Sequence, residues 1–268
     1  MKITFIGGGN MATALLGGMI KKGYAAAAMQ VVEPVAAARE RIAETFGVRT
    51  TGAVDAAALH CDVLVLAVKP QQMKAAVAGL AGKLTTQVVL SIAAGLRVAD
   101  MAAWLGYSKI VRAMPNTPAL IGLGMAGLFA DPSVSHDERG QTEKILQAVG
   151  LTVWVANEAQ IDVVTAISGS GPAYVFYFIE AIESAARGLG MDAAAARQLT
   201  VQTFVGAAQL AANSSEDIAT LRERVTSKGG TTEAALDTFT AQGVAAGIAQ
   251  GVKAANARGR ALGELFGQ

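Results

Sequence analysis

The stretch that decides the fold is ITFIGGGNMA at residues 3–12. A short run of β-branched and aromatic side chains ends at Ile6, and three glycines separate it from a segment with helical periodicity. Glycines here let the backbone turn tightly and approach a pyrophosphate, whose negative charge is stabilised by the N-terminus of the helix that follows. Because the pattern G-x-G-x-x-A stands between a strand and a helix, it predicts a dinucleotide-binding βαβ unit.

The next candidate strand bears on the choice of cofactor. Glu33 ends it, 21 residues after Ala12, where a ribose-contacting residue belongs. A carboxylate in this position favours NADH, because it repels the 2′-phosphate of NADPH, whereas Arg39 and Arg41 on the adjoining helix attract that phosphate. The predicted contacts of this region are Ile6, Gly7, Gly8, Gly9, Asn10, Met11 and Glu33.

The first 155 residues alternate short β-branched runs with helical patterns, which is typical of a parallel sheet built from βαβ units. The candidate strands are 3–6, 30–32, 63–68, 88–91, 110–112, 124–129 and 152–155. The candidate helices are 11–22, 36–46, 72–80 and 98–105. We therefore predict an α/β fold with a doubly wound, Rossmann-like dinucleotide-binding domain at residues 1–158.

Beyond about residue 159 the strand-like alternation disappears, and long apolar-rich helical stretches follow. They cover residues 173–189, 192–212, 215–225, 232–240 and 243–265. Several are apolar on nearly every face, and a domain of this size has too little interior to bury them all. We therefore expect residues 159–268 to form an all-α domain that binds substrate and joins copies of the chain as a dimer or an assembly of dimers.

Three later strand ends supply further cofactor contacts, because a ligand of an open parallel sheet lies beyond the carboxyl ends of its strands. Two strands end in AVKP at residues 67–70 and SIAAG at residues 91–95, and a third leads into MPNTP at residues 114–118. The two prolines of MPNTP fix a rigid loop, which we expect to present Asn116 and Thr117 to the cleft. The additional predicted contacts are Ala67, Val68, Lys69, Pro70, Ala93, Ala94 and Asn116.

Two motifs of the second part of the chain favour a substrate site. SGSGPAY at residues 168–174 opens the first long helix, with the hydroxyl of Ser168 and exposed amides at its start. VTSKGGTTEA at residues 225–234 places the turn of Gly229 and Gly230 before a helix whose N-terminal amides can bind a carboxylate.

Composition excludes several classes of protein. A net charge of +1 without a run of like charges predicts neither a nucleic-acid nor an anionic-membrane partner, and no run approaches the roughly 20 apolar residues of a spanning helix. Cys61 is the single cysteine, and neither His60 nor His136 stands near other residues at ligand spacing, so we expect no disulfide and no metal. The start of the chain enters a strand without a signal-peptide pattern, which predicts a cytoplasmic protein.

The motifs GGGNMA, AVKP, MPNTP with SGSGPAY, and VTSKGGTTEAAL together resemble those of the pyrroline-5-carboxylate reductases. The resemblance runs from residue 3 to about residue 260. It implies reduction of 1-pyrroline-5-carboxylate to L-proline, the last step of proline synthesis, by hydride transfer from NADPH, with NADH also accepted. It also implies a homo-oligomer whose helical domains interlock.

The resemblance assigns roles to individual residues. Ser227, Gly230 and Thr231 match the family's carboxylate cradle, and Thr232 matches the hydroxyl that hydrogen-bonds the ring nitrogen, which makes it the candidate catalytic residue. Glu158 is a further candidate for a substrate contact. Lys228 departs from the pattern, since many relatives have proline at that position.

Two other functions fit part of the pattern. A β-hydroxyacid dehydrogenase shares the two-domain plan, but it needs a lysine as general acid and base on the first long helix, and no lysine occurs from residue 157 to residue 227. A non-catalytic NAD(P)-binding redox sensor would need GGGNMA but not TSKGGTT. An absorbance change at 340 nm that depends on pyrroline carboxylate separates an enzyme from such a sensor.

Overall fold

In the computed structural model, residues 1–267 are described, and they form one eight-stranded sheet and twelve α-helices. The strands are β1 Ile3–Ile6, β2 Met29–Val32, β3 Arg49–Thr51, β4 Val63–Leu66, β5 Val88–Ser91, β6 Ile110–Met114, β7 Gly124–Ala130 and β8 Gly150–Trp154. Their order in the sheet is β3-β2-β1-β4-β5-β6-β7-β8. The strand order runs outward in one direction from β1 to β3 and in the other from β4 onward, which is the arrangement of a doubly wound fold and confirms the predicted fold class.

Seven of the helices connect or follow these strands: α1 Asn10–Lys21, α2 Ala36–Phe46, α3 Ala56–Leu59, α4 Pro70–Ala78, α5 Val98–Leu105, α6 His136–Gln147 and α7 Ala159–Val164. The other five are α8 Gly171–Gly188, α9 Ala193–Asn213, α10 Ile218–Arg224, α11 Thr231–Ala241 and α12 Val244–Phe266. A short π-helical turn, Thr165–Gly169, joins α7 to α8.

The sheet is not parallel throughout, which corrects one part of our expectation. Every neighbouring pair is parallel except β6 and β7, which run antiparallel. The connection between them holds only a 3₁₀ turn, Thr117–Ile121. A parallel crossover needs a dozen or more residues, and this loop is shorter, so the chain can return only in the opposite direction.

The core lies on both faces of the sheet, which explains why the strands are almost continuously apolar. All four residues of β1, β4 and β5 are buried. On one face α1 packs Leu15, Leu16 and Met19 against the strands. On the other face α4 and α5 contribute Met73 and Met101 to a second cluster. The sheet is thereby held rigid at the strand ends where ligands of this fold bind.

The chain divides into two compact units. The first contains Met1–Ser170 together with the residues from Ala255 onward, and the second is Gly171–Ala254. The end of α12 therefore belongs to the sheet-containing unit, where Phe266 packs against the core of α4 and α5. The domain boundary that we predict at residue 158 stays a prediction.

Apolar side chains of the second unit lie largely on its surface. Helices α8, α10 and α11 contain no buried residue. Phe176 is 65% exposed, Tyr177 69% and Leu210 70%. Exposed apolar surface of this extent is typical of a contact with another chain. None of the helices within residues 1–267 combines the length and apolar character needed to cross a membrane.

Candidate dinucleotide and substrate sites

The glycine turn after β1 has the geometry that a bound pyrophosphate needs. Gly7 has a φ of +98°, its N–H donates to the Val32 carbonyl at 2.8 Å, and a Cβ there would lie 2.8 Å from the Ala67 carbonyl oxygen. A Cβ on Gly8 would lie 2.4 Å from Cδ1 of Ile42. Only glycine therefore fits position 7, where φ is positive and the clash is with backbone, whereas at position 8 the close atom is the end of the flexible Ile42 side chain.

Gly9, unlike Gly7 and Gly8, has open space at its Cβ position, where a Cβ would meet nothing within 4 Å. It is the N-cap of α1, where no side chain caps the helix and the first turn carries no acidic residue. The backbone amides at the start of α1 are therefore available to an anion, and Gly9 and Asn10 are exposed beside them. The residues present fit a dinucleotide pyrophosphate.

Glu33 lies at this turn, as predicted from its place after β2. Its Oε2 accepts the Gly8 N–H at 2.9 Å, and its Oε1 accepts the Val35 N–H at 3.0 Å. Arg39 does not pair with this carboxylate, since its Nη1 donates to the carbonyls of Glu33 and Pro34, each at 2.8 Å. Both carboxylate oxygens thus already accept a backbone amide, and the Arg39 guanidinium stands at the same strand end.

The other predicted cofactor residues also stand at carboxyl ends of strands. Ala67 and Val68 follow β4, and Pro70 is the first residue of α4, with exposed Lys69 as its N-cap. The Ala67 N–H donates to the Ile6 carbonyl at 2.8 Å, which joins this segment to the glycine turn. After β5, Ala93 is buried and Ala94 half-buried. These segments form one edge of the sheet, and their contact with a cofactor stays a prediction.

Asn116 and Ser168 have a different placement from the one we expected. Asn116 is buried rather than facing open solvent, and its Nδ2 donates to the Ser168 carbonyl at 3.0 Å while its Oδ1 accepts the Met125 N–H at 2.9 Å. The Ser168 hydroxyl donates to the Val164 carbonyl at 3.0 Å within the π-helical turn. The Asn116 side chain therefore holds the rigid loop against this turn, whereas the Ser168 hydroxyl is bonded within its own segment. Their direct ligand contacts stay predictions.

A buried ion-pair cluster stands beside these segments, and the residue patterns did not predict it. Arg112 on β6 is 2% exposed, and its Nη1 and Nη2 each lie 3.1 Å from a carboxylate, that of Glu158 and that of Asp162. One carboxylate oxygen of Glu158, Oε1, is therefore engaged within the first unit, and its contact with substrate stays a prediction. A lone arginine in a strand carries no sequence signal that names partners about 50 residues away.

The Gly-Gly turn of the second unit leads into α11. Gly229 has a φ of +72°, and its N–H donates to the Glu233 carboxylate at 2.6 Å. The Gly230 N–H donates to the Ser227 carbonyl at 3.0 Å, and Gly230 is the N-cap of α11, without a side-chain cap. Two of the predicted cradle amides are thus already bonded inside the turn.

Free donors remain at the start of α11. Thr231 and Thr232 are its first two residues, and within residues 1–267 neither their amides nor their hydroxyls have a hydrogen-bond partner. The Ser227 hydroxyl is exposed beside them. A small carboxylate can be bound by such donors, because amides at a helix N-terminus carry partial positive charge.

No group of three or more His, Cys, Asp or Glu side chains within residues 1–267 is arranged to hold a metal ion. The first unit contains three features of a dinucleotide site. They are Gly7 in the left-handed region after β1, the uncapped amides at the start of α1, and the Glu33 carboxylate at the end of β2. These features, on a doubly wound sheet, define a dinucleotide-binding protein of the oxidoreductase class.

Comparisons with known proteins narrow this class. Residues 158–262 match the family described as pyrroline-5-carboxylate reductase dimerisation, and residues 2–95 match that described as NADP oxidoreductase coenzyme F420-dependent. A pyrroline-5-carboxylate reductase of Pseudomonas aeruginosa is 46% identical over 100% of this chain and 98% of its own. That of Pasteurella multocida is 44% identical over 98% of each chain.

Solved structures agree. A pyrroline-5-carboxylate reductase from Coxiella burnetii superposes with a TM-score of 0.93 at 41% identity, covering 97% of this chain and 98% of that one. A Plasmodium falciparum pyrroline carboxylate reductase with NADP bound gives 0.86 at 26% identity, covering 98% of each chain. The chain belongs to the pyrroline-5-carboxylate reductase family, as its motifs indicated.

Proposed function

We propose that this protein reduces 1-pyrroline-5-carboxylate to L-proline with NADPH, and that it is an oxidoreductase of proline biosynthesis. The observation that carries this function is identity of 41–46% with reductases of this name over nearly the whole chain. The free donors at the start of α11 and the glycine turn after β1 supply the two binding functions that the reaction needs.

When bound, NADPH would supply a hydride to the carbon of the protonated imine, and the electron pair of the C=N bond would become the lone pair of the ring nitrogen in proline. The first unit's part is to hold the dinucleotide: uncapped amides of α1 bind the pyrophosphate, and small residues such as Ala93 and Ala94 leave room beside the sheet. The protonated imine is already an electrophile, so positioning contributes most of the remaining catalysis.

The second unit's part is to orient the substrate. Ser227 and the amides of Thr231 and Thr232 bind the substrate carboxylate, with Gly229 and Gly230 shaping the turn. The Thr232 hydroxyl hydrogen-bonds the ring nitrogen, where the charge distribution changes as the amine forms. Thr232 is half-buried and its hydroxyl has no partner within residues 1–267, which supports this role.

The experiment that tests this function compares wild type, Thr232→Ala and Thr232→Ser. Loss of one donor aimed at a transition state lowers the rate by about 10²–10³-fold, so Thr232→Ala should lose that much turnover while still binding NADPH. Thr232→Ser keeps the hydroxyl and should recover most of the rate. If folded Thr232→Ala turns over normally, Thr232 is only a residue of a helix start.

We further propose that the helical second unit joins copies of the chain and that the protein is cytoplasmic, with no nucleic-acid partner. The apolar side chains exposed on α8 and α9 support the first point. A single, buried, unpaired Cys61 suits a reducing compartment, and a net charge of +1 gives no attraction to nucleic acid.

A further inference from the structure

The segment of residues 92–97 connects β5 to α5 and contains Ala93 and Ala94, two of the proposed cofactor contacts. At the end of the segment that enters α5, no residue of the segment caps the helix. Arg97 is the N-cap of α5, and its side chain accepts no hydrogen bond from the helix amides. The segment must therefore be held by residues from elsewhere in the chain.

Glu158 provides one such restraint. Its Oε1 accepts the Val98 N–H at 2.8 Å, so a carboxylate 60 residues away in sequence does the work of an N-cap for α5. The same oxygen accepts Arg112 Nη1 at 3.1 Å, and Arg112 Nη2 donates to Asp162 at 3.1 Å. The side chains of Arg112 and Asp162 are 3% and 10% exposed and that of Glu158 is 24% exposed, so the guanidinium is shielded from solvent and its charge-assisted bonds are strong.

The last turn of α12 restrains the same segment from another side. A Cβ on Gly263 would lie 2.9 Å from the Gly95 carbonyl oxygen, and a Cβ on Gly95 would lie 3.4 Å from Cδ2 of Phe266. Gly95 itself has a φ of +80°. The segment is therefore fixed in one conformation between α12 and Glu158.

We propose that Glu158, oriented by Arg112, is a positioning residue for hydride transfer: it sets residues 92–97 where they hold the nicotinamide half of NADPH. Glu158 touches neither substrate nor cofactor in this account, which rests on the proposed function. Because a misplacement of about 1 Å can lower a reaction rate by up to about 10²-fold, a small shift of this segment is enough to be measured.

The test compares Glu158→Ala with Asp162→Ala. Both remove one carboxylate of Arg112, but only Glu158 also bonds the Val98 N–H, so Asp162→Ala is the matched control for loss of the ion pair alone. We expect Glu158→Ala to raise the dissociation constant of NADPH about tenfold and to lower the single-turnover rate by about 10–10²-fold. Asp162→Ala should change both less than about threefold, although its melting temperature falls.

Two further variants keep the test decisive. Glu158→Gln retains an acceptor for the Val98 N–H and should recover most of the NADPH affinity. Gly263→Ala displaces the same segment from α12 and should weaken NADPH binding even if Glu158→Ala does not fold, whereas Gly140→Ala, with nothing within 4 Å of its Cβ, should not.

The proposal is overturned if folded Glu158→Ala or Gly263→Ala binds NADPH within about twofold of wild type, or if Asp162→Ala weakens binding as much as Glu158→Ala. NADPH binding is followed by its fluorescence, without substrate. A wild-type protein that binds NADPH but does not reduce pyrroline carboxylate would therefore refute the proposed function and leave the role of Glu158 in cofactor binding open to the same measurement.

Discussion

Gly7 and Gly9 stand two residues apart in one turn, yet they are glycine for different reasons. Gly7 combines a φ of +98° with a Cβ position 2.8 Å from the Ala67 carbonyl, whereas the Cβ position of Gly9 is open. We expect Gly7→Ala to lower the melting temperature and abolish NADPH binding. Gly9→Ala should fold as wild type and lose NADPH affinity alone, because its methyl group occupies space that the pyrophosphate needs.

Thermal unfolding and NADPH fluorescence, measured on both variants, check this pair. Equal losses of stability would show that the whole turn is structural. Normal NADPH affinity in Gly9→Ala would place the pyrophosphate elsewhere.

The surroundings of Glu33 bear on whether the protein prefers NADH or NADPH. A carboxylate after β2 favours NADH, but here both oxygens are engaged by the Gly8 and Val35 amides, and Arg39 stands beside it. We therefore expect higher kcat/KM with NADPH than with NADH in the wild-type protein. Comparing the two cofactors in wild type and Glu33→Ser checks this. A wild-type preference for NADH that disappears in Glu33→Ser would show that the carboxylate binds the ribose.

Among the elements, helix α6 is not predicted by apolar periodicity, although the residues at its N-terminus indicate a helix start. Its apolar residues are few, with Ile145 and Leu146 near its end, so helical periodicity is weak. Its start is well marked, because Ser135 and Glu138 form a reciprocal capping box. We expect Ser135→Ala to lower the free energy of unfolding by about 1 kcal/mol, measured in urea, and Ser135→Thr to lower it less.

The same helix start gives a pH dependence. Burial raises the pKa of Glu138, but hydrogen bonds from Lys109 and Ser135 outweigh it and hold this pKa below its usual 4.5. A lowered pKa in the folded protein means that the bonds stabilise it above about pH 4.5 and lose this effect as the pH falls through the folded value. The stability difference between wild type and Glu138→Gln should therefore be constant near pH 7 and shrink below pH 4.5.

Urea titrations of both proteins at several pH values measure this difference. A difference that stays constant down to the acid transition would mean that Glu138 has an ordinary pKa.

Strands and helices that bury apolar residues in a regular pattern can be predicted from the sequence. Elements with few buried apolar residues cannot be predicted in this way. β1, β4 and β5 are apolar throughout and were predicted within two residues of their ends. β3, with the sequence RTT, is a polar edge strand without such a pattern, and it was missed. The direction of β7 does have a local signal, the short connection between β6 and β7, whereas the Arg112 cluster depends on contacts far apart in sequence and has none.

At the scale of the whole molecule, the surface of the second unit predicts self-association. Helices α8, α10 and α11 contain no fully buried residue in the single chain, and residues 158–262 match a dimerisation family. We expect light scattering to give at least twice the chain mass of 27.3 kDa at micromolar concentration, and the melting temperature to rise with protein concentration. A monomer, or crosslinks confined to residues 1–150, would contradict this.

The packing of the last turns of α12 within the first unit has a consequence for synthesis. A domain made of continuous sequence ordinarily folds while the following residues are still being translated. Here Leu262, Gly263 and Phe266, which close against the segment after β5, are made only after the whole second unit, Gly171–Ala254. The cofactor-binding half therefore reaches its final form only after the second unit has been synthesised, and a product that terminates within the second unit lacks this closure.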